Sequence, residues 1–118
     1  MQTRTYQIGE KIFEEGEDGD KAYLIKSGEV KITKIAKDDY PRTIATVKVG
    51  NIIGEMALID DQPRAASAIV LEKTEVLVIS KEEFQKRLGK SDQVIGLLMQ
   101  TFTNRLRQQA KQIIELMV

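Results

Sequence analysis

Two rhythms of apolar residues divide this chain, and they constrain its fold more than any other feature. Up to Ser80, short runs rich in Ile, Val, Thr and Tyr are broken every eight to twelve residues by Gly, Asp, Asn or Pro. Such spacing is typical of an antiparallel sandwich or barrel. We predict strands at Thr5–Ile8, Lys11–Phe13, Ala22–Lys26, Glu29–Ile35, Arg42–Val47, Ala66–Leu71 and Glu75–Ile79.

After Ser80 the pattern becomes helical. Ser80 and Glu83 have the spacing of a capping box, and Gly89 fits the end of this first helix. Ser91 is placed to cap a second helix, which runs from Asp92 toward the C-terminus without a proline. If it is continuous, the second helix is about 40 Å long, because each residue adds roughly 1.5 Å.

Apolar residues on the second predicted helix recur at alternating spacings of four and three, with one polar member. They are Ile95, Met99, Phe102, Leu106, Gln109, Ile113 and Leu116. This heptad seam favours a homodimer through the helix. A single wide amphipathic face docked on the chain's own domain is an equal alternative. Residues off the seam are candidates to pack on the sheet, namely Val94, Leu97, Leu98 and Ile114.

Length and composition limit both the number of domains and the chemistry. A chain of 118 residues is expected to form one domain. Within it we assign residues 1–90 to a roll with the first helix, and residues 91–118 to a long lid or dimerisation helix. The chain has no His and no Cys, and its formal net charge is zero. Imidazole catalysis, thiol nucleophiles, disulfides and zinc, haem or iron–sulfur sites built on these residues are therefore excluded.

The sequence lacks the signals of membrane insertion or export. No apolar run approaches the roughly 18 residues of a membrane span, and Met1–Arg4 lacks the apolar stretch of a signal peptide. We expect a cytoplasmic protein that does not bind membranes.

Residues 14–20 contain five acidic residues and two glycines. So many carboxylates require a solvated turn. Calcium binding is the alternative, but the run lacks the alternating ligands and the distal bidentate Glu of an EF-hand loop. We therefore predict no metal site in this loop.

Residues 50–68 carry the strongest functional signal. They read as a turn, a short strand, Gly54, a short helix at Glu55–Ile59, and a return to the sheet after Pro63. Helix N-terminal amides that point into a cavity bind anions, and Arg64 offers a planar fork of donors for phosphate oxygens. Ionised Glu55 only accepts hydrogen bonds, which suits a sugar hydroxyl. Together these groups predict a site for a ribose with its phosphate.

This stretch resembles the phosphate-binding cassette of the cyclic-nucleotide-binding domain family, shared by catabolite-activator-type regulators, kinase regulatory subunits and cyclic-nucleotide-gated channels. The family pattern Phe-Gly-Glu-x-Ala-Leu, then x-Pro-Arg-Ala-Ala-Ser/Thr, is matched from Gly54 to Ser67, with Ile53 in place of the usual aromatic residue. The resemblance runs from Ile8 into the C-terminal helix, and four further glycines stand where the family's roll turns, namely Gly16, Gly19, Gly28 and Gly50.

The resemblance implies a mostly β fold with C-terminal helices: an antiparallel β-roll (jelly-roll, double-stranded β-helix) with a short phosphate-binding helix. It also implies a ligand-binding set at Gly54, Glu55, Met56, Ala57, Arg64, Ala65, Ala66 and Ser67. Glu55 would accept from the ribose 2′-hydroxyl, Arg64 would neutralise the cyclic phosphate, and the amides of Ala57 and Ala65 would assist. With no Trp in the chain, we expect an aliphatic rather than an aromatic cap over the base, with Leu98, Phe102 or Arg105 as candidate lid residues.

The implied function is a non-catalytic regulatory module that binds a cyclic nucleotide as ligand and uses no cofactor. Members that favour cyclic GMP often carry a hydroxyl after the arginine, whereas this chain has Ala65. The resemblance thus favours cAMP over cGMP. Ligand-linked movement of the C-terminal helix is expected to carry the signal.

Two alternatives remain, and a third is excluded. The chain could be a fragment of a catabolite-activator-type regulator, although by itself it offers few basic residues for DNA. It could be a degenerate cassette in which Glu55 and Arg64 form an internal ion pair, serving for dimerisation or interaction. An enzyme of similar shape would need clustered His ligands, which the chain lacks, so we predict that it is not an enzyme.

Overall fold

The computed structural model describes residues 1–88 and 93–116. Its architecture is an antiparallel sheet of six strands, interrupted by a short 3-10 helix at Glu55–Leu58 and followed by helices. The predicted β-roll with C-terminal helices is confirmed. The strands are β1 (Gln2–Tyr6), β2 (Lys11–Phe13), β3 (Lys21–Ile35), β4 (Pro41–Lys48), β5 (Ile52–Ile53) and β6 (Ser67–Ser80), and the helices are α1 (Lys81–Leu88) and α2 (Gln93–Leu116).

The sheet runs in the order β1-β6-β3-β4, with β2 also paired to β6 and β5 to β3. All of these pairings are antiparallel. Strands β3 and β6 are the two longest, and they pair from Lys21 with Ser80 to Thr33 with Ser67. These two strands form the central pair of the roll, and each shorter strand pairs with one of them.

Two pairs of predicted strands are each continuous, because the chain bends rather than turns between them. The predicted strands Ala22–Lys26 and Glu29–Ile35 join in β3, and those at Ala66–Leu71 and Glu75–Ile79 join in β6. The bend in β3 lies at Gly28, which has φ +98° and where a Cβ would meet the Thr74 hydroxyl at 2.3 Å. Glycine is required where backbones approach this closely.

The core lies inside the roll and consists mainly of branched aliphatic and aromatic side chains. Among its least exposed members are Ile25, Val30, Val70 and Val76. Aliphatic side chains that alternate along paired strands face one another across this interior, which is the burial that stabilises a sheet. A partly buried pair on β3 and β4, Ile32 and Val47, packs against the core and faces the site described below.

Helix α1 begins as the sequence predicts. The amide of Glu83 donates to the hydroxyl of Ser80 over 3.0 Å, which satisfies one free donor of the first turn. The carboxylate of Glu83 pairs with the N-terminal amine of Met1 instead of closing the capping box. The predicted helix end at Gly89 and the predicted cap at Ser91 lie outside the described residues.

Helix α2 docks through a stripe that its hydrophobic pattern did not reveal. Among the residues of α2 whose burial is described, Thr103 and Ile114 are buried, and Arg107 lies between them with a side chain only 15% exposed. Of the four off-seam residues expected to pack on the sheet, Ile114 is buried, but Val94, Leu97 and Leu98 are exposed; for these three the expectation is wrong. The docked stripe is polar at its centre, so apolar spacing could not locate it. Most seam residues stay exposed: Ile95, Phe102, Leu106, Ile113 and Leu116.

Neither α-helix, over the residues described, combines the length and the apolar character that crossing a membrane requires.

Candidate functional site

A cavity of about 220 Å³ opens between the 3-10 helix, the inner face of β3 and β4, and α2. Seven of the eight predicted ligand-binding residues line it, namely Gly54, Glu55, Met56, Ala57, Arg64, Ala65 and Ala66. Aliphatic walls are supplied by Ile32, Val47 and Ile52. The cavity therefore has polar groups at the cassette and an apolar surface opposite, the usual character of a small-molecule site.

Ser67 is the predicted residue that does not line the cavity. Its hydroxyl accepts a hydrogen bond of 2.8 Å from the amide of Glu15, and its residue is buried at the start of β6. The side chain thus fixes the acidic loop to the sheet.

Gly54 begins the 3-10 helix in a left-handed conformation, with φ +71°. A Cβ at this position would lie 2.7 Å from Nη1 of Arg64 and 3.1 Å from the ring of Phe13. Only glycine fits both the backbone angle and the space. The Ala57 amide donates to the carbonyl of Gly54 over 3.2 Å, so in this conformation it closes the helical turn.

The Arg64 side chain is held from several directions. Nη2 donates to the carbonyl of Lys21 over 2.8 Å, and Nη1 donates to the carbonyl of Gly54 over 3.2 Å. The guanidinium lies over the ring of Phe13, 4.4 Å from its centroid, and the ring in turn stacks on Tyr23. These contacts fix the orientation of the guanidinium before any ligand arrives.

Arg64 is a buried cation without an ion pair. Only 7% of the residue is exposed, and Nε is buried without a hydrogen-bond partner. No carboxylate in the described part of the chain lies within ion-pair distance of it. Burial lowers the pKa of Arg64. An unpaired buried charge is unfavourable, so the site favours an incoming anion.

The acidic loop at residues 14–20 holds the backbone of Arg64. The Arg64 amide donates to the carbonyl of Glu17, and the Gly16 amide donates to the carbonyl of Arg64, both over 2.9 Å. A Cβ on Gly19 would meet Nε of Arg64 at 2.4 Å. Within residues 1–88 and 93–116, no acidic cluster is arranged to hold a metal ion. This loop supports the arginine, a role that its composition did not suggest.

A second support fixes the exit of the cassette. Nζ of Lys34 donates to the carbonyl of Ala65 over 2.6 Å and pairs with the carboxylate of Glu15. That carboxylate also accepts from the amide of Ile35 over 2.8 Å. The loop after Arg64 is therefore tied to β3 by a partly buried ion pair.

Glu55 stands at the start of the 3-10 helix with an exposed side chain. It makes no ion pair with Arg64, so the internal pair expected for a degenerate cassette does not form in this conformation. The cavity thus offers an acceptor from Glu55 and a cationic donor from Arg64 as separate groups.

The three candidate lid residues do not line the cavity in this conformation; Leu98, Phe102 and Arg105 are exposed. Arg107, which the sequence analysis did not select, lines it from α2. Two residues of helix rotate a side chain by roughly 200°, so Arg105 and Arg107 point to opposite sides. No signal in the sequence distinguishes the two arginines, because the choice depends on which face of α2 docks.

The fold and the site define a class of protein: a β-roll whose internal cavity presents a rigid cationic group beside a short helix, with C-terminal helices alongside. The family described as "Cyclic nucleotide-binding domain" matches residues 3–91. The chain belongs to this cyclic nucleotide-binding domain family.

Individual proteins with related sequences support this family membership. The cyclic AMP receptor protein of Thermus thermophilus is 34% identical over 108 residues, which are 92% of this chain and 50% of the relative. The cAMP-dependent protein kinase regulatory subunit of Yarrowia lipolytica is 36% identical over 89 residues, which are 75% of this chain and 23% of the relative. This chain therefore spans half or less of the length of these relatives.

Solved structures that resemble this chain also support the family membership. The EAL enzyme Bd1971 in its cAMP-bound form has a TM-score of 0.84 at 37% identity, covering 92% of this chain and 29% of that one. Its cGMP-bound form has a TM-score of 0.80 at 38% identity, covering 90% and 28%.

Proposed function

We propose that this chain is a non-catalytic regulatory module that binds a cyclic nucleotide, favours cAMP over cGMP, and transmits binding through movement of α2. The observation that carries the proposal is the buried guanidinium of Arg64, which faces the cavity without an ion pair. A cyclic phosphate supplies the missing negative charge and bonds to the fork of donors.

Glu55 and Arg64 take different parts of the ligand in this proposal. The Glu55 carboxylate accepts from the ribose 2′-hydroxyl, and Arg64 neutralises the cyclic phosphate. Gly54, Met56, Ala57 and Ala66 shape the cavity around them, and the amide of Ala65 adds a donor.

The preference for cAMP rests on the absence of a hydroxyl at Ala65. Such a hydroxyl would offer a polar contact to the guanine base. Here the opposite wall, with Ile32 and Val47, is aliphatic. One relative is a cyclic AMP receptor protein, and one similar structure is a cGMP-bound form, so titration with both nucleotides tests the preference.

Calorimetric titration with cAMP and with cGMP tests the binding proposal. We expect cAMP to bind more tightly, and we expect Arg64→Ala to weaken binding at least tenfold, because a charge-assisted hydrogen bond contributes roughly 1.5–3 kcal/mol. Arg87→Ala, which removes an exposed arginine from α1, is the matched control and should bind as the wild type does. Absence of heat and of any thermal shift with both nucleotides would contradict the proposal.

Movement of α2 requires that the nucleotide have a different affinity for two positions of the helix. The exposed seam on the same helix is the proposed surface for a homodimer.

A second candidate function is supported by the lengths of the relatives. Because the chain covers 50% of the cyclic AMP receptor protein, it fits the ligand-sensing part of a longer regulator whose effector lies elsewhere. If so, a gel-shift measurement of this chain alone with DNA should show no binding.

A degenerate cassette that serves as an interaction domain is the other alternative. Such a domain would dimerise without binding any nucleotide.

A further inference from the structure

We propose that Arg107 is a positioning residue: it clamps α2 to the cassette through Asp60 and Pro63, so that the helix forms a wall of the cavity and follows the phosphate loop. This inference rests on the proposed nucleotide site and names the contact through which α2 responds to it.

The clamp is a bidentate ion pair with one further hydrogen bond. Nε and Nη2 of Arg107 donate to the two carboxylate oxygens of Asp60 over 2.8 and 2.9 Å. Nη1 donates to the carbonyl of Pro63 over 3.0 Å. Both charged side chains are only 15% exposed. A planar guanidinium that uses three donors in this way fixes direction as well as distance.

The clamp holds the cassette on both sides of its loop. Asp60 comes two residues after the 3-10 helix, which ends at Leu58, and Pro63 directly precedes Arg64. A phosphate that draws the 3-10 helix or Arg64 toward itself therefore moves atoms that Arg107 holds. Few covalent bonds separate the anion site from α2.

Helix α2 depends on the clamp because its apolar attachment is sparse. Thr103 and Ile114 are its buried residues in the described range, and Arg107 lies between them. Removing one partner of a partly buried ion pair leaves the other charge uncompensated. We therefore expect α2 to leave this position when either Asp60 or Arg107 is neutralised.

Helix α1 holds the same segment independently. Nζ of Lys81 donates to the carbonyl of Asp60 and pairs with the carboxylate of Asp61. The segment at residues 60–63 therefore stays attached to the domain when Arg107 is changed, so loss of the clamp should release α2 alone.

The two arginines that line the cavity have charges consistent with this clamp. Arg64 and Arg107 line the same cavity. Burial lowers the pKa of Arg64, and the positive charge of Arg107 acts in the same direction. Because Asp60 neutralises Arg107, an incoming phosphate meets Arg64 as the unpaired cation. The clamp thus leaves the anion site to Arg64 while holding the helix beside it.

The test measures helix position and nucleotide affinity in the same variants. Asp60→Asn and Arg107→Gln remove the ion pair, and Arg107→Lys keeps the charge without the fork. Lys111→Gln is the control, because it removes an exposed charge one turn along the same helix from Arg107 and leaves the Asp60 pair in place. Because the chain has no cysteine, spin labels can be placed at Thr3→Cys and Gln112→Cys. Diluting labelled chain with excess unlabelled chain restricts the measured distances to one molecule.

We expect a narrow label distance in the free wild type and in Lys111→Gln, and a shifted or broadened one in Asp60→Asn and Arg107→Gln. Affinity for cAMP should fall roughly tenfold in each of these two variants, less in Arg107→Lys. The double variant should lose no more than the weaker-binding single variant, because both substitutions break one interaction.

The outcomes separate this inference from the proposed function. Unchanged label distances in Asp60→Asn and Arg107→Gln overturn the clamp, and shifted distances with wild-type cAMP affinity overturn its link to the site. If neither the wild type nor any variant binds a cyclic nucleotide, but the label distances shift as expected, the proposed function fails while the clamp stands.

Discussion

At the scale of single residues, the site is built by making one cation rigid and leaving it unpaired. Arg64 is fixed by two backbone carbonyls and by the ring of Phe13. Glycines at positions 19 and 54 allow this close packing. Because the guanidinium is already oriented, binding does not have to order it, which lowers the entropic cost of association.

Gly54→Ala tests how much this packing matters. A Cβ there would meet the guanidinium at 2.7 Å in a backbone with φ +71°, so we expect a loss of stability of about 1–3 kcal/mol and weaker nucleotide binding. The measurements are chemical denaturation and calorimetry.

The control is Gly50→Ala. Gly50 also has positive φ, at +89°, but a Cβ there would meet nothing within 4 Å. It should lose about 1 kcal/mol of stability from backbone strain and keep wild-type affinity. Equal affinity in both alanine variants would contradict the steric role of Gly54.

At the scale of elements, the segment at residues 60–63 connects three parts of the molecule. It follows the 3-10 helix, precedes Arg64, and carries Asp60 and Asp61, which pair with α2 and α1 respectively. Two adjacent carboxylates in a loop usually indicate no more than solvation. Here each one pairs with a cation of a different helix, and the partly buried Asp60 pair is the one expected to anchor its helix.

The pH dependence of stability tests the Asp60 pair. Burial would raise the pKa of Asp60, but hydrogen bonds from Arg107 and from the Gln62 amide outweigh it, and the pKa is held below its ordinary value of 3.8. A group whose pKa is lower in the folded chain stabilises the fold above the unfolded value. That contribution is lost as the pH falls through the folded value.

We therefore expect Asp60→Asn to lower the free energy of unfolding by about 1–2 kcal/mol at pH 7, between the values for exposed and buried ion pairs. The difference from the wild type should shrink as the pH falls below about 4. Asp61→Asn, at a carboxylate 95% exposed, should change stability by less than about 0.5 kcal/mol at either pH. A difference that does not depend on pH would show that charge is not its cause.

The fold and most of the cavity could be predicted because their signals are local. Each of these signals spans only a few neighbouring positions: the strand runs, the Ser80 cap, and the order of small residues around Gly54 and Arg64. The clamp could not be predicted, because Asp60 and Arg107 are 47 positions apart and other carboxylates and cations lie along the chain between them.

At the scale of the whole molecule, the roll buries its apolar core, but α2 leaves an apolar surface exposed. The seam residues Phe102, Leu106 and Ile113 are about half exposed. The stripe that docks through Thr103 and Arg107 lies next to the seam, about 100° around the helix axis. An exposed apolar face of this kind supports the homodimer that we propose through α2. Its heptad spacing fits a second copy of the same helix.

Ile113→Glu tests this dimer. The residue is 49% exposed in the single chain, so a charge there should leave the fold intact and shift the chain toward monomer by sedimentation velocity. Gln112→Glu adds the same charge one position off the seam and should leave the association unchanged. A wild type that sediments as a monomer at all concentrations would contradict the proposed dimer.

The sequence by itself determined an antiparallel β architecture followed by helices, the cassette motif whose resemblance to a known family implied the β-roll, and the exclusion of chemistry that needs His or Cys. These follow from residue types and from spacings within short segments. The tertiary structure alone decided which face of α2 docks, why Ser67 turns away from the cavity, and that the acidic loop supports Arg64. Each of these depends on bonds between groups distant in sequence, where several partners of suitable chemistry exist and only the folded geometry selects one.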